Sequence, residues 1–142
     1  MSVSTVVAAF QDLHATISGV ATAPDELPGS ITEEKCPLAF TFVGGAEWQS
    51  RAVGLPAQDR EFIIRCFVAP VLEGAGLDES YAKALPLIEA FGLAYLADKT
   101  LSGACEQMRA INDEGVGILF YGGHAYHGFV YRVTVREKPA GA

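Results

Sequence analysis

GILFYGGHAYHG, residues 117–128, is the stretch whose reading decides the fold. Gly122-Gly123 separates two runs rich in β-forming residues, and two glycines take positive φ without steric cost. The spacing predicts a two-residue hairpin turn with Tyr121 opposite His124. Side chains then alternate between two faces of the hairpin. Val116, Ile118, Phe120, Ala125, His127 and Phe129 share the face expected to be core. Leu119, Tyr121, His124, Tyr126 and Val130 share a mixed face, which carries Arg132 and Arg136 towards its C-terminal end. His124 and His127 therefore point opposite ways and cannot chelate one metal ion. His127 reads as a histidine at the core edge, hydrogen-bonded to a neighbour.

Upstream, DREFIIRCFVAP (59–70) puts Phe62, Ile64, Cys66 and Val68 on one face. Ile63 and Phe67 fall on the other face, with Glu61 and Arg65. A strand apolar on both sides is expected in the middle of its sheet, and Pro70 ends it. LAFTFVGG (38–45) reads as a shorter strand. Residues 44–58 carry neither helical nor strand period and read as a long loop, a kind of segment that is usually functional or disordered. Residues 104–111 read as a weak strand, and Asn112–Gly115 as a turn before the hairpin.

Two helices are predicted. Val3, Val6, Val7, Phe10, Leu13, His14 and Ile17 recur at helical spacing, with Ser2 or Ser4 as cap and Gly19 at the end. His14 continues this apolar stripe and reads as a core residue. The second pattern runs Tyr81, Leu85, Ile88, Phe91, Gly92, Tyr95, Leu96, and Pro86 inside it predicts a kink or a fresh start. Between the first helix and the first strand, Pro24, Pro28, Gly29 and Pro37 punctuate an acidic loop.

The chain has 142 residues, enough for one domain with a single sizeable core. Half of them are hydrophobic and 19% are charged, which excludes a disordered chain and leaves apolar surface for contacts with other chains. The net charge of −7 argues against gripping DNA through its phosphates. Cys36, Cys66 and Cys105 are scattered, without zinc spacing, which suits buried thiols in a reducing compartment. No signal peptide or membrane-spanning segment is expected.

Chemical motifs are sparse. The sequence holds no GxSxG, P-loop, GxGxxG or HExxH pattern. Its paired acids, such as Asp78-Glu79, lie where carboxylates solvate or cap helices. Cys66 in an apolar strand reads as an inert thiol. No catalytic residue, cofactor or metal ligand is assigned. Trp48 and Arg51, in the 44–58 loop, are candidate interface residues, since both types are enriched at binding hot spots. The alternative is that Trp48 folds back on its own domain.

Three segments together, REFIIRCFVAPVLEG (60–74), AKALPLIEAFGLAYLAD (82–98) and GILFYGGHAYHGFVYRVTVREK (117–138), resemble the small tail terminator, or tail-completion, proteins of long-tailed bacteriophages and related particles. The likeness lies in a VAP strand end, an ALPL helix and a YGG hairpin leading into an RV…EK strand. It implies an α+β fold, with two main helices packed on a mixed, mainly antiparallel sheet. It also implies a hexameric ring in the virion, assembled in the host cytoplasm, that ends the tail tube and meets the head connector. Genomic DNA would pass through without specific binding. Neighbouring neck or minor tail proteins, or a small ligand-binding or enzymatic domain using the Tyr/His-rich hairpin, are the alternatives.

A closed ring needs two different patches that meet. Asp25, Glu26, Glu33 and Glu34 are acidic candidates. Arg132, Arg136 and Lys138 are basic ones, and the face bearing Leu119, Tyr126 and Val130 is expected to supply apolar area. Residues 139–142 are expected to form a flexible tail.

Overall fold

A computed structural model of the chain describes residues 3–50, 56–71 and 77–137. Helix α1 spans Val3–Ala15 and helix α2 Leu77–Ala97. Four strands, β1 (Leu38–Ser50), β2 (Pro56–Pro70), β3 (Gln107–Tyr121) and β4 (His124–Arg136), form one sheet in the order β1-β2-β4-β3. Every neighbouring pair is antiparallel, so the fold is α+β. β2, apolar on both sides, is indeed an inner strand.

Both helices pack on one face. α1 buries Val6, Phe10, Gln11 and His14 over the β1–β2 side. α2 buries Ala84, Leu87, Phe91 and Tyr95 over β4 and its neighbours. Phe62, Ile64, Cys66, Phe129, Val133 and Val135 complete this main core from the sheet.

The buried stripe of α2 is rotated from the predicted one, leaving Tyr81, Leu85 and Leu96 exposed. Gly92 explains the seating: a Cβ there would lie 2.9 Å from the Tyr131 hydroxyl, which donates to the Ile88 carbonyl. The helix runs through Pro86 without a fresh start.

The opposite face is not open. The chain leaves α1 and runs along the start of the β1 edge, where Thr22 bridges Leu38 and Ala21 N–H donates to the Pro37 carbonyl. It then crosses beneath the sheet as a strap. Ile31 packs there with Leu38, Phe40, Phe67 and Tyr126 in a second core. The Tyr126 hydroxyl donates to the Ile31 carbonyl at 2.7 Å, and the Tyr121 hydroxyl to the Pro28 carbonyl. The face expected to hold copies together is thus used internally: Tyr126 and Val130 are buried and Leu119 packs against the second core.

Two predicted loops are strand. β1 and β2 pair from Leu38↔Phe67 to Ser50↔Pro56, so most of 44–58 is the far end of a hairpin. Its missing period comes from an irregularity between Val43 and Ala46, where Gly44 lets the strands close: a Cβ there would lie 2.7 Å from the Glu61 carbonyl oxygen. Asn112–Gly115 likewise lies within β3, which pairs through Asp113 and bulges before Val116, and is not a turn between strands. Gly115 takes φ +78 there, and its N–H donates to Asp113 Oδ1 at 3.0 Å.

Candidate functional site

The β3–β4 hairpin forms as its glycines require. Gly122 and Gly123 have φ of 58° and 83°, and Tyr121 pairs with His124. His124 is exposed, whereas His127 pairs with Ile118 on the helix-bearing face and is buried. The two imidazoles stand on opposite faces. Among the described residues no group of three His, Cys, Asp or Glu side chains could hold a metal ion.

What the hairpin does form is one wall of a groove. α2 begins only at Leu77, so its first turn covers the hairpin incompletely. Asp78 and Tyr81 from α2 face Val116, Gly117, Ile118 and His127 across a groove of about 460 Å³. Tyr81, Ile118 and Phe120 remain 54%, 55% and 68% exposed. Ile118 and Phe120 do lie on the predicted core face, but they sit where helix cover runs out.

Trp48 stands at the other end of the same face. It pairs with Gln58 on β2, and with Ala46 and Arg60 it follows the parity of Phe62, the helix-bearing side. Its ring lies 5.9 Å from the Arg60 guanidinium carbon and is 65% exposed. Arg60 is held below it, donating to the Gly44 carbonyl at 2.9 Å and to Gln58 Oε1 at 3.1 Å. Gln58 in turn donates to the buried Glu137 carboxylate. Trp48 does not fold back into the core. Arg51 lies outside the described residues, as do Lys138 and the expected tail.

Arg132 and Arg136 are not free charges. Arg136 donates twice to Asp59, at 2.8 and 2.9 Å, and Arg132 bridges Glu61 and Glu114. These partners lie on adjacent strands of the same sheet face, and their hydrogen bonds raise both guanidinium pKa values. The complementary basic patch expected for a neighbouring copy is therefore largely satisfied at home. Asp25, Glu26, Glu33 and Glu34 are exposed, on the strap side.

The remaining reactive groups are embedded. Burial holds His14 down to about 3, so its imidazole is neutral. Burial raises the Cys66 thiol far above its ordinary value, and burial then the Glu33 charge raise Cys36 to about 11. Neither thiol is poised as a nucleophile. Sequence reasoning missed Asp78 and Gln11. Asp78 reads locally as a helix cap, and Gln11 as a polar residue on a solvent face; only tertiary packing puts one in a groove and the other in the core.

Compared with known proteins, the chain matches no family model and no curated protein sequence.

Proposed function

We propose that the chain is a structural assembly subunit of the tail-terminator kind. Copies form a ring, hexameric by the resemblance, that ends a phage tail tube and presents a surface to the head connector. The observation that carries this reading is apolar surface left over by a domain whose own core is complete. Leu85, Leu93 and Leu96 on α2, with Ile118 and Phe120 on β3, are exposed while two separate cores are filled. Such surface suits contacts with other chains. The acidic balance suits a lumen through which DNA slides without sticking.

The test is native mass spectrometry of the purified chain, with electron microscopy of the chain mixed with tail tubes. Rings, and tubes blunted by them, are expected. A chain that stays monomeric and leaves tube ends bare overturns the reading. A second reading, a small-ligand domain, is favoured by the same groove, which joins an imidazole, a carboxylate and a phenol, those of His127, Asp78 and Tyr81.

A further inference from the structure

We infer that the groove between α2 and β3 receives Trp48 of a neighbouring copy, so that copies meet head to tail through this knob and this hole. The inference rests on the assembly reading above and specifies its contact.

The two features belong to one face of the sheet but to opposite ends of it. Trp48 is level with Gln58, next to the Asp59↔Arg136 pair; the groove is level with the Ile118↔His127 pair. The nine steps along β4 from Arg136 back to His127, at ~3.3 Å each, separate them by about 30 Å. No side chain spans that distance, so a copy cannot fill its own groove. A contact between two different patches at opposite ends of one subunit is the heterologous kind, which gives a ring where the rotation between copies closes.

The chemistry of the two patches matches. The knob is a large aromatic ring, 65% exposed and braced from below by a guanidinium. Arg60 is fixed by the Gly44 carbonyl and the Gln58 side chain, so the indole is presented on a supported platform. The hole is walled by Val116, Ile118 and the Tyr81 ring, with the Gly117 backbone between the two β3 side chains. Its volume of about 460 Å³ lies in the ~300–1,000 Å³ range of ligand pockets and accommodates an indole. Asp78 at the rim supplies a carboxylate for the Arg60 that travels with the indole. A buried tryptophan surrounded by such a rim is the usual form of an interface hot spot.

The arrangement makes a specific demand on mixtures. Trp48→Ala removes the knob and keeps the hole. Ile118→Glu spoils the hole and keeps the knob. Both side chains are exposed, so both variants should melt close to the wild type. Each alone should remain monomeric in sedimentation velocity and native mass spectrometry over a concentration series in which the wild type forms rings. Mixed in equal amounts, they should give dimers containing one copy of each and nothing larger, because the single intact contact cannot propagate. Rings formed by either variant alone, or by the mixture, would overturn this contact and leave the assembly reading standing. A wild type that is monomeric throughout and also leaves tail-tube ends bare would overturn both. A small apolar ligand found in the groove of wild-type rings would show that the groove serves something other than Trp48.

Discussion

His14 Nε2 lies 2.7 Å from the Tyr95 hydroxyl, joining α1 to α2 inside the core. The proton positions follow from the neighbours. Gln11 Nε2 faces the Pro24 and Ala39 carbonyls at 2.8 Å, so it is the amide donor end. Gln11 Oε1 then accepts from the Thr41 hydroxyl at 2.8 Å and from His14 Nδ1 at 3.1 Å. With its proton on Nδ1, neutral His14 accepts from Tyr95 through Nε2.

This network predicts a pH dependence. Burial lowers the His14 pKa from 6.5 to about 3 in the folded chain. Between these values the unfolded chain binds the extra proton, so folding stability falls as pH falls. The contribution is complete above pH ~6.5 and lost on the way down to pH ~3. At pH 5 the loss is about 2 kcal/mol relative to pH 7, from 1.36 kcal/mol per unit. Urea unfolding of the wild type and of His14→Gln should show a shallower slope of stability against pH between 5 and 6.5 in the variant. Equal slopes would mean that His14 takes up its proton in the folded chain as readily as in the unfolded one.

Two facing glycines should behave in opposite ways. Gly128 and Gly117 are cross-strand partners. A Cβ at Gly128 would collide with the Cys66 carbonyl oxygen, a backbone atom that cannot swing aside. At Gly117 it would meet nothing within 4 Å. Gly128→Ala should therefore cost on the order of 3 kcal/mol or more, through forced separation of β2 and β4. Gly117→Ala should stay within about 1 kcal/mol of the wild type. Thermal melts of the two variants decide it, and comparable losses would contradict the close approach at Cys66.

Arg136 and Asp59 should tolerate exchange but not conflict. Their paired hydrogen bonds join β4 to β2 directly across the register. Arg136→Asp alone places two carboxylates opposite each other and should lower the melting temperature. Asp59→Arg combined with Arg136→Asp should recover much of the loss, as a double-mutant cycle would quantify. If the double variant is as unstable as the sum of the singles, the pair contributes no coupling.

How far the sequence carried these conclusions depended on distance along the chain. The Gly122-Gly123 turn and its Tyr121–His124 pairing were legible because turn and register are set by adjacent residues. His14 and Cys66 were legible as core because each continues an apolar stripe. Asn112–Gly115 misled, because a bulge with Gly115 at positive φ uses the same residue types as a turn. Arg132 and Arg136 misled because their partners on β2 lie 71 and 77 residues away, and charge counts along the chain carry no pairing. Ile118 and Phe120 show the same limit on the apolar side. Alternation gives the face of a strand, but only the start of α2 at Leu77 determines where that face is covered.

The strap beneath the sheet was the least legible element, since it has no period and is held by hydroxyls from about 93–95 residues further on. Those hydroxyls make a prediction. Tyr126→Phe leaves the Ile31 carbonyl without its donor and should cost about 1 kcal/mol, the usual net value of one hydrogen bond. The larger effect should be local. Tyr121→Phe with Tyr126→Phe removes both side-chain ties between the hairpin and the strap, at Pro28 and Ile31, while Ile31 keeps its apolar seat against Phe67 and Tyr126. The strap should then open more often than the sheet unfolds. Hydrogen exchange should accelerate in residues 28–36 of the double variant while β2 and β4 amides stay protected, and limited proteolysis should cut first within the same segment. Uniform acceleration across the sheet would show that strap and sheet form one cooperative unit, and that the two hydroxyls hold the whole fold rather than its lower layer.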